Sequence, residues 1–179
     1  MFSVHPECRA ERGVSKDSRK RSTRPAISLR ARALQYLARR EYSRAELRAK
    51  LLPHVQLDAE FEQAQPASLD ALLDDFTKRG WLSDARAATQ LVHAKRSRFG
   101  IQRITHELRQ KGIAENLISE ALPQLKETEL AAAREVWEKK FGIAPQDEKE
   151  KAKQVRFLQS RGFSLDVVFK VLRTSDSEG

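Results

Sequence analysis

The chain is poor in the residues that punctuate β-structure and that staple small folds. Its 179 residues include seven glycines, six prolines and a single cysteine, Cys8. One cysteine excludes an intramolecular disulfide, so packing has to hold the fold, and a reducing cytoplasm is the expected setting. No apolar run approaches the ~20 residues that a membrane span requires. The opening MFSVHPECRAERG lacks the apolar stretch of a secretory signal. No useful segment alternates apolar and polar residues strictly, which argues against a half-buried sheet. Aromatics supply only 7% of the chain while charged residues supply 33%, a mixture that suits helices with wet outer faces. Signatures of chemistry are missing too. There is no GxxxxGK followed by Ser or Thr for a phosphate-cradling loop, and no GxSxG elbow for a nucleophilic serine. His106-Glu107 lacks the second histidine of a zincin motif, and His5 with Cys8 would supply only two of the four ligands of a structural zinc. No cofactor and no catalytic centre are expected.

What is abundant is positive charge. The formal net charge is +9, which predicts attraction to polyanions. It is unevenly spread. Residues 1–52 carry 14 Lys/Arg against 5 Asp/Glu, residues 53–75 carry none against 6, and residues 76–112 carry 9 against 2. Two basic zones therefore flank an acidic segment.

Residues 1–27 contain little that packs and read as a disordered basic tail. From Ser28 the pattern is helical, with Leu29, Ala33 and Leu37 on one stripe. Ser43 and Glu46 form a capping box, S-R-A-E, ahead of Leu47, Leu51 and Leu52, and Pro53 should stop that helix. Residues 53–67, with Asp58, Glu60 and Glu62, read as an acidic loop. Ser68 opens a helix with Leu69, Leu72, Leu73 and Phe76 on its apolar stripe, closed by Gly80. Ser83, Asp147 and Ser164 are further expected caps. Gly100, Gly112 and Gly142, supported by Pro123 and Pro145, divide the rest, so that nine helices are expected.

Internal similarity organises these helices. GIAENLISEAL, 112–122, aligns with GFSLDVVFKVL, 162–172, at a constant offset: Ile113 with Phe163, Leu117 with Val167, Ile118 with Val168, Leu122 with Leu172. ELRQK, 107–111, aligns with FLQSR, 157–161, and ELRAKL, 46–51, is a third copy. RFG at 98–100 pairs with KFG at 140–142. The fold expected is all-α: three tandem three-helix repeats, at 28–79, 83–122 and 126–173, stacked into an elongated, curved molecule because no unit is large enough to bury a sufficient core alone. Leu47, Leu108, Leu158, Trp81 and Trp137 are expected in the core.

The candidate binding residues are the basic clusters. Arg30, Arg32, Arg39, Arg40, Arg44 and Arg48 form an N-terminal group. Lys95, Arg96, Arg98 and Arg103 straddle the turn at Gly100, followed by Arg109 and Lys111. Each can neutralise a phosphate and release counterions, and without a recognition-helix signature the contact should ignore sequence. Asp70, Asp74 and Asp75 have the residue types of a Mg²⁺-binding nuclease cluster, but a solvated face or partners for basic neighbours is the plainer reading.

Four strings in order, KRGWLSDARAA at 78–88, RSRFGIQRITHELRQKGI at 96–113, AREVWEKKFG at 133–142 and QVRFLQSRGFSLDVVFKVL at 154–172, resemble the regulatory protein RecX family over residues 28–173. The resemblance implies tandem three-helix repeats and modulation, mostly inhibition, of the RecA recombinase. It implies binding in the groove of the RecA–DNA filament, with suppressed ATP hydrolysis, strand exchange and co-protease activity in DNA repair and the SOS response. The partners expected are the RecA filament and DNA, without a membrane, for a cytoplasmic monomer. The alternatives are a helix-turn-helix DNA-binding regulator and a metal-dependent nuclease on helix 68–79.

Overall fold

A computed structural model describes residues 27–57 and 67–176. The expected tail through residue 26 and the acidic stretch 58–66 lie outside those residues. Eight α-helices follow one another: α1 (Leu29–Leu37), α2 (Arg44–Leu51), α3 (Ala67–Lys78), α4 (Asp84–Lys95), α5 (Ile101–Gln110), α6 (Glu115–Lys140), α7 (Glu148–Ser160) and α8 (Leu165–Asp176). Among the described residues there is no strand.

The starts are set by side-chain caps. Ser28, Ser43, Ser83 and Asp147 each accept from a backbone N–H of the helix they precede. At Ser43 the full reciprocal capping box with Glu46 is present, which satisfies two otherwise orphaned donors. Two expectations of secondary structure need correction. Residues 52–57 are a 3-10 segment, Leu52–Leu57, rather than loop; Pro53 ends the α-helix but its fixed φ suits a 3-10 turn. Nine helices become eight because Pro123 sits inside α6. Proline there removes one hydrogen bond, to the carbonyl of Ser119. Both residues are exposed, so water can satisfy that carbonyl, while Ile118, Leu125 and Ala132 on the buried side hold the helix across the site. α6 thus serves as the last helix of the second unit and the first of the third.

The core is three clusters in series. Leu29, Leu47, Leu73 and Phe76 centre the first, Val92, Ile104, Leu108 and Ile118 the second, and Trp137, Leu158, Phe163 and Val168 the third. The aligned apolar positions Ile113 and Phe163, Ile118 and Val168, are all buried. Trp137 is buried with its indole N–H donating to Gln154 Oε1 at 2.7 Å. Trp81, expected in the core, is instead 41% exposed. It follows the left-handed Gly80, donates its N–H to the Phe76 carbonyl and packs edge-on against the Phe76 ring. That is the hydrophobic contact of a Schellman helix end, which needs only one side of the indole.

The units are joined by the same device twice. The glycine turn that closes the middle helix of one unit docks on the first turn of the preceding unit's middle helix. At the first joint the Lys111 carbonyl accepts from the Ser43 hydroxyl, the Lys111 ammonium pairs with Glu46, and a Cβ on Gly112 would lie 2.6 Å from Ala45 Cβ. At the second, the Gly100 N–H donates to the Arg161 carbonyl at 3.0 Å and the Gln102 N–H to the Gly162 carbonyl at 3.1 Å. A Cβ on Gly100 would lie 2.2 Å from the Gly162 carbonyl oxygen. Above this crossing, the buried Glu129 of α6 accepts from the Ile101 N–H at 3.1 Å and from the N–H and hydroxyl of Ser164 at 3.4 Å. One carboxylate therefore caps α5 and α8 together, at helix ends that favour negative charge.

Glu129→Ala leaves those three donors without an acceptor and should cost about 3 kcal/mol. Urea denaturation measures it, and a loss within ~0.5 kcal/mol, as for an ordinary surface change, would contradict the double-cap role. Gly80 and Gly162 share a positive φ, but a Cβ on Gly80 meets open space while one on Gly162 lies 2.4 Å from Arg103 Cβ. Gly80→Ala should cost about 1 kcal/mol for the backbone alone, and Gly162→Ala about 3 kcal/mol once the clash is added. Equal melting losses would show that the joint tolerates a methyl group.

Candidate nucleic-acid interface

The N-terminal basic group is largely spent inside the protein. Arg30 pairs with Asp75 at 3.1 Å and lies 5.4 Å from the Phe76 ring centroid. Arg44 reaches Asp74 at 2.8 Å and Asp70 at 3.7 Å, and Arg48 donates from Nε to Asp70 at 3.1 Å. Arg40 stacks 3.7 Å from the Tyr42 centroid and pairs with Glu46 at 3.0 Å. Arg32 has its Nε buried without a hydrogen-bond partner. Arg39 is exposed, past the end of α1. Asp70, Asp74 and Asp75 are thus arginine partners, with Asp75 also taking Arg79 at 2.7 Å. The Arg79 hydrogen bond, together with that of Arg30, holds the Asp75 carboxyl below its ordinary range. Among the described residues no three of His, Cys, Asp and Glu converge as a metal cage. Residues His5 and Cys8 lie outside them.

The middle group is arranged differently. Lys95, Arg103 and Arg161 surround the Phe99 ring, with charge-to-centroid distances of 5.2, 4.5 and 5.6 Å. Lys95 also pairs with Glu107 at 3.2 Å and Arg103 donates to the Ser160 carbonyl at 3.2 Å. Arg96 and Arg98, just past α4, have no ion pair among the described residues, and Arg98 is exposed. Arg109 is tied to Glu115 at 2.6 Å, and Lys111 belongs to the first joint. Residue 161, together with Lys139 and Lys140, was missed as a candidate. The repeat alignment of Lys111 with Arg161 was the available signal.

A groove of about 760 Å³ runs along α5 between the two joints. Its lining comes from all three units: Glu46 from the first, Gln102, Arg103, His106 and Gln110 from α5, Gln159 and Ser160 from the end of α7. These are hydrogen-bonding side chains on the exposed face of a helix whose other face, Ile104 and Leu108, is core.

Residues 127–172 match the family model described as RecX, third three-helix domain, and residues 83–122 the one described as RecX, second three-helix domain. A regulatory protein RecX from Leptothrix cholodnii is 50% identical over 157 residues, covering 88% of this chain and 95% of that protein. The chain belongs to the RecX family. Another regulatory protein RecX, from Ralstonia nicotianae, is 44% identical over 86% of this chain and 92% of its own length. Crystal structures carry the fold likeness beyond sequence. RecX from Lactobacillus salivarius superposes with a TM-score of 0.65 at 19% identity, covering 83% of this chain and 94% of that one. A second crystal structure of regulatory protein RecX gives 0.64 at 23% identity, covering 80% and 70%. No helix among the described residues of this RecX-family chain is long and apolar enough to cross a membrane.

The first joint is built around a titratable carboxyl, Glu46. Burial pushes the Glu46 carboxyl up, but hydrogen bonds from Arg40, Lys111 and the Ser43 N–H together pull it below its ordinary value near 4.5. A carboxyl depressed by folding stabilises the fold above its unfolded pKa, and loses that contribution as pH falls through the folded one. Glu46→Gln should therefore melt lower than the parent at pH 7, with the difference shrinking once the pH drops below about 4.5. A difference that persists unchanged at pH 2 would assign Glu46 a packing role instead.

Proposed function

We propose that the chain is a modulator, mainly an inhibitor, of the RecA recombinase. It lies along the groove of the RecA–DNA filament and suppresses ATP hydrolysis, strand exchange and co-protease activity, in DNA repair and the SOS response. The units 28–79, 83–122 and 126–173 act as successive contact modules, and residues 1–27 as a basic arm. The protein works as a cytoplasmic monomer, without catalytic residue or cofactor.

The observation that carries this reading is the head-to-tail joint. α5 docks on the first unit with its C-terminal turn and receives the third unit at its N-terminal turn. Ten residues at 1.5 Å each separate those joints by about 15 Å, so the units advance in one direction and present a long surface rather than a closed globule. Such a surface can follow a helical partner across more than one protomer. Membership of the RecX family supports the partner, and the net charge of +9 supports DNA within the same complex. Contact with DNA is through phosphates and indifferent to sequence.

Many shallow contacts then share the binding energy, and changes in one unit weaken inhibition partially. Arg96→Glu with Arg98→Glu alters two side chains that hold no ion pair among the described residues. It should raise the amount needed for half-inhibition of the DNA-stimulated RecA ATPase about fivefold, the equivalent of ~1 kcal/mol. Its melting should stay within ~0.5 kcal/mol of the parent. A folded double variant that inhibits as well as the parent removes the middle cluster from the contact surface.

A further inference from the structure

The described arginines fall into two kinds. Arg30, Arg40, Arg44, Arg48, Arg79, Arg86 and Arg109 each sit against a carboxylate. Arg161 has no carboxylate partner among the described residues. Its guanidinium lies between two rings, 5.6 Å from the Phe99 centroid and 5.2 Å from that of Phe157. The two ring contacts restrict the guanidinium while no anion among the described residues occupies it, a pre-organised state in which arginine takes a phosphate with less loss of freedom.

That fork lines a cleft of about 460 Å³ whose other cations are Arg98, Lys139 and Lys140. The four come from separate places in sequence: the turn after α4, the last turn of α6 and the end of α7. Arg98, Lys139 and Lys140 are exposed. One carboxylate, Glu135, is also in the lining, 3.7 Å from Lys139 on the same helix. Ser97 adds a hydroxyl. The C-terminal ends of α4, α6 and α7 meet here, and each brings about half a negative charge. Together with Glu135 they offset part of the four positive charges and leave the cleft cationic. A volume of this size lies within the range of ordinary ligand sites, and four of its eight lining residues are cations.

We infer that this cleft is a phosphate seat for the sugar–phosphate backbone of a nucleic-acid strand, with Arg161 as its oriented donor and Arg98, Lys139 and Lys140 as its counter-charges. Arg161 engages both rings and Phe157 also packs edge-on against Phe141, so the seat holds a backbone through its cations rather than a stacked base. The inference rests on the nucleic-acid half of the proposed function and is independent of RecA.

The experiment uses the full chain without RecA, so that its outcome is separate from that of the ATPase titration. A fluorescein-labelled oligothymidylate is titrated by anisotropy at several salt concentrations. Arg98→Gln with Lys140→Gln changes two exposed positions and should bind the strand about tenfold more weakly at low salt. The log–log salt slope should flatten by about 1.4, two contacts at ~0.7 each for single strands. Arg161→Gln should behave likewise if it remains folded by circular dichroism. Lys149→Gln with Lys153→Gln removes the same charge from the exposed side of α7 and should leave affinity nearly unchanged. Equal losses in both double variants would show diffuse attraction to net charge and overturn the seat. So would an unchanged affinity and slope in Arg98→Gln with Lys140→Gln. Pyrophosphate is the second probe. If it binds the parent and fails on the cleft variant while the strand binds both equally well, the cleft takes a free polyphosphate and the strand proposal is overturned.

Discussion

The architecture depends on two backbones crossing where no side chain fits. At the second joint Gly100 and Gly162 approach until a single Cβ would collide with a carbonyl. The close crossing is what lets the Gly100 and Gln102 N–H groups bond to the next unit's turn. These are first-turn amides of α5, with no partner inside their own helix. The third unit thus supplies, with its last helical carbonyls, what the second unit's helix start lacks. Glu129 completes the exchange from above. The same exchange at the first joint uses a serine hydroxyl and the Lys111–Glu46 pair in place of two amides. A joint made of helix ends is directional, since an N-terminal turn meets a C-terminal one. Repetition therefore propagates in one sense and gives an open array.

Charge follows from this geometry. The first unit has an acidic helix, α3, lying beside the arginines of α1 and α2, and its cations are consumed as internal struts. Their exposed pairs contribute little stability individually, but they remove charge from the surface that a polyanion would meet. Around Phe99 there is no such acidic helix. Arg103 and Arg161 are positioned by a ring instead of by carboxylates, which orients them without neutralising them, while Lys95 shares that ring with its Glu107 partner. The net charge of the chain is consequently a poor guide to where a phosphate would be held. The pairing pattern is the better one.

Much of the fold was legible because repetition and helix caps are local signals. The aligned pairs Ile113–Phe163 and Ile118–Val168 proved to be core, and Ser43, Ser83 and Asp147 proved to be caps. What escaped was tertiary. Pro123 marks a helix break in most sequences, and only the apolar residues on either side, packed on the other face of α6, explain why the helix continues. Trp81 has the composition of a core residue, yet a Schellman contact buries just one side of it. The binding residues were legible as a group and not individually. Sequence places Arg44 and Arg98 in equivalent basic strings, and only the position of α3 separates an arginine held by two aspartates from one that holds none. Arg161 stood in the repeat alignment opposite Lys111, but a side chain at a joint can face either way, and the two rings that hold it are 58 residues apart in sequence.

The continuous α6 gives the two joints unequal stiffness. The second and third units share a helix of 26 residues, about 39 Å long, besides the glycine crossing and the buried Glu129. The first and second units share no helix. They are connected through the short segment between α3 and α4, by the Ser43–Lys111 hydrogen bond, and by contacts that are exposed or half-buried: Arg86 with Glu41 at 2.8 Å, the Arg44 N–H with Asp84 at 2.7 Å, and Lys111 with Glu46. Polar contacts reached by water exchange readily with it, whereas a buried carboxylate that caps two helices does not. Motion within the array should therefore concentrate at the first joint. The groove along α5 has one wall on each side of this divide, Glu46 on the first unit and Gln159 with Ser160 on the third. Opening at the first joint would widen the groove from one side only, leaving the Phe99–Arg161–Phe157 stack intact on the rigid half.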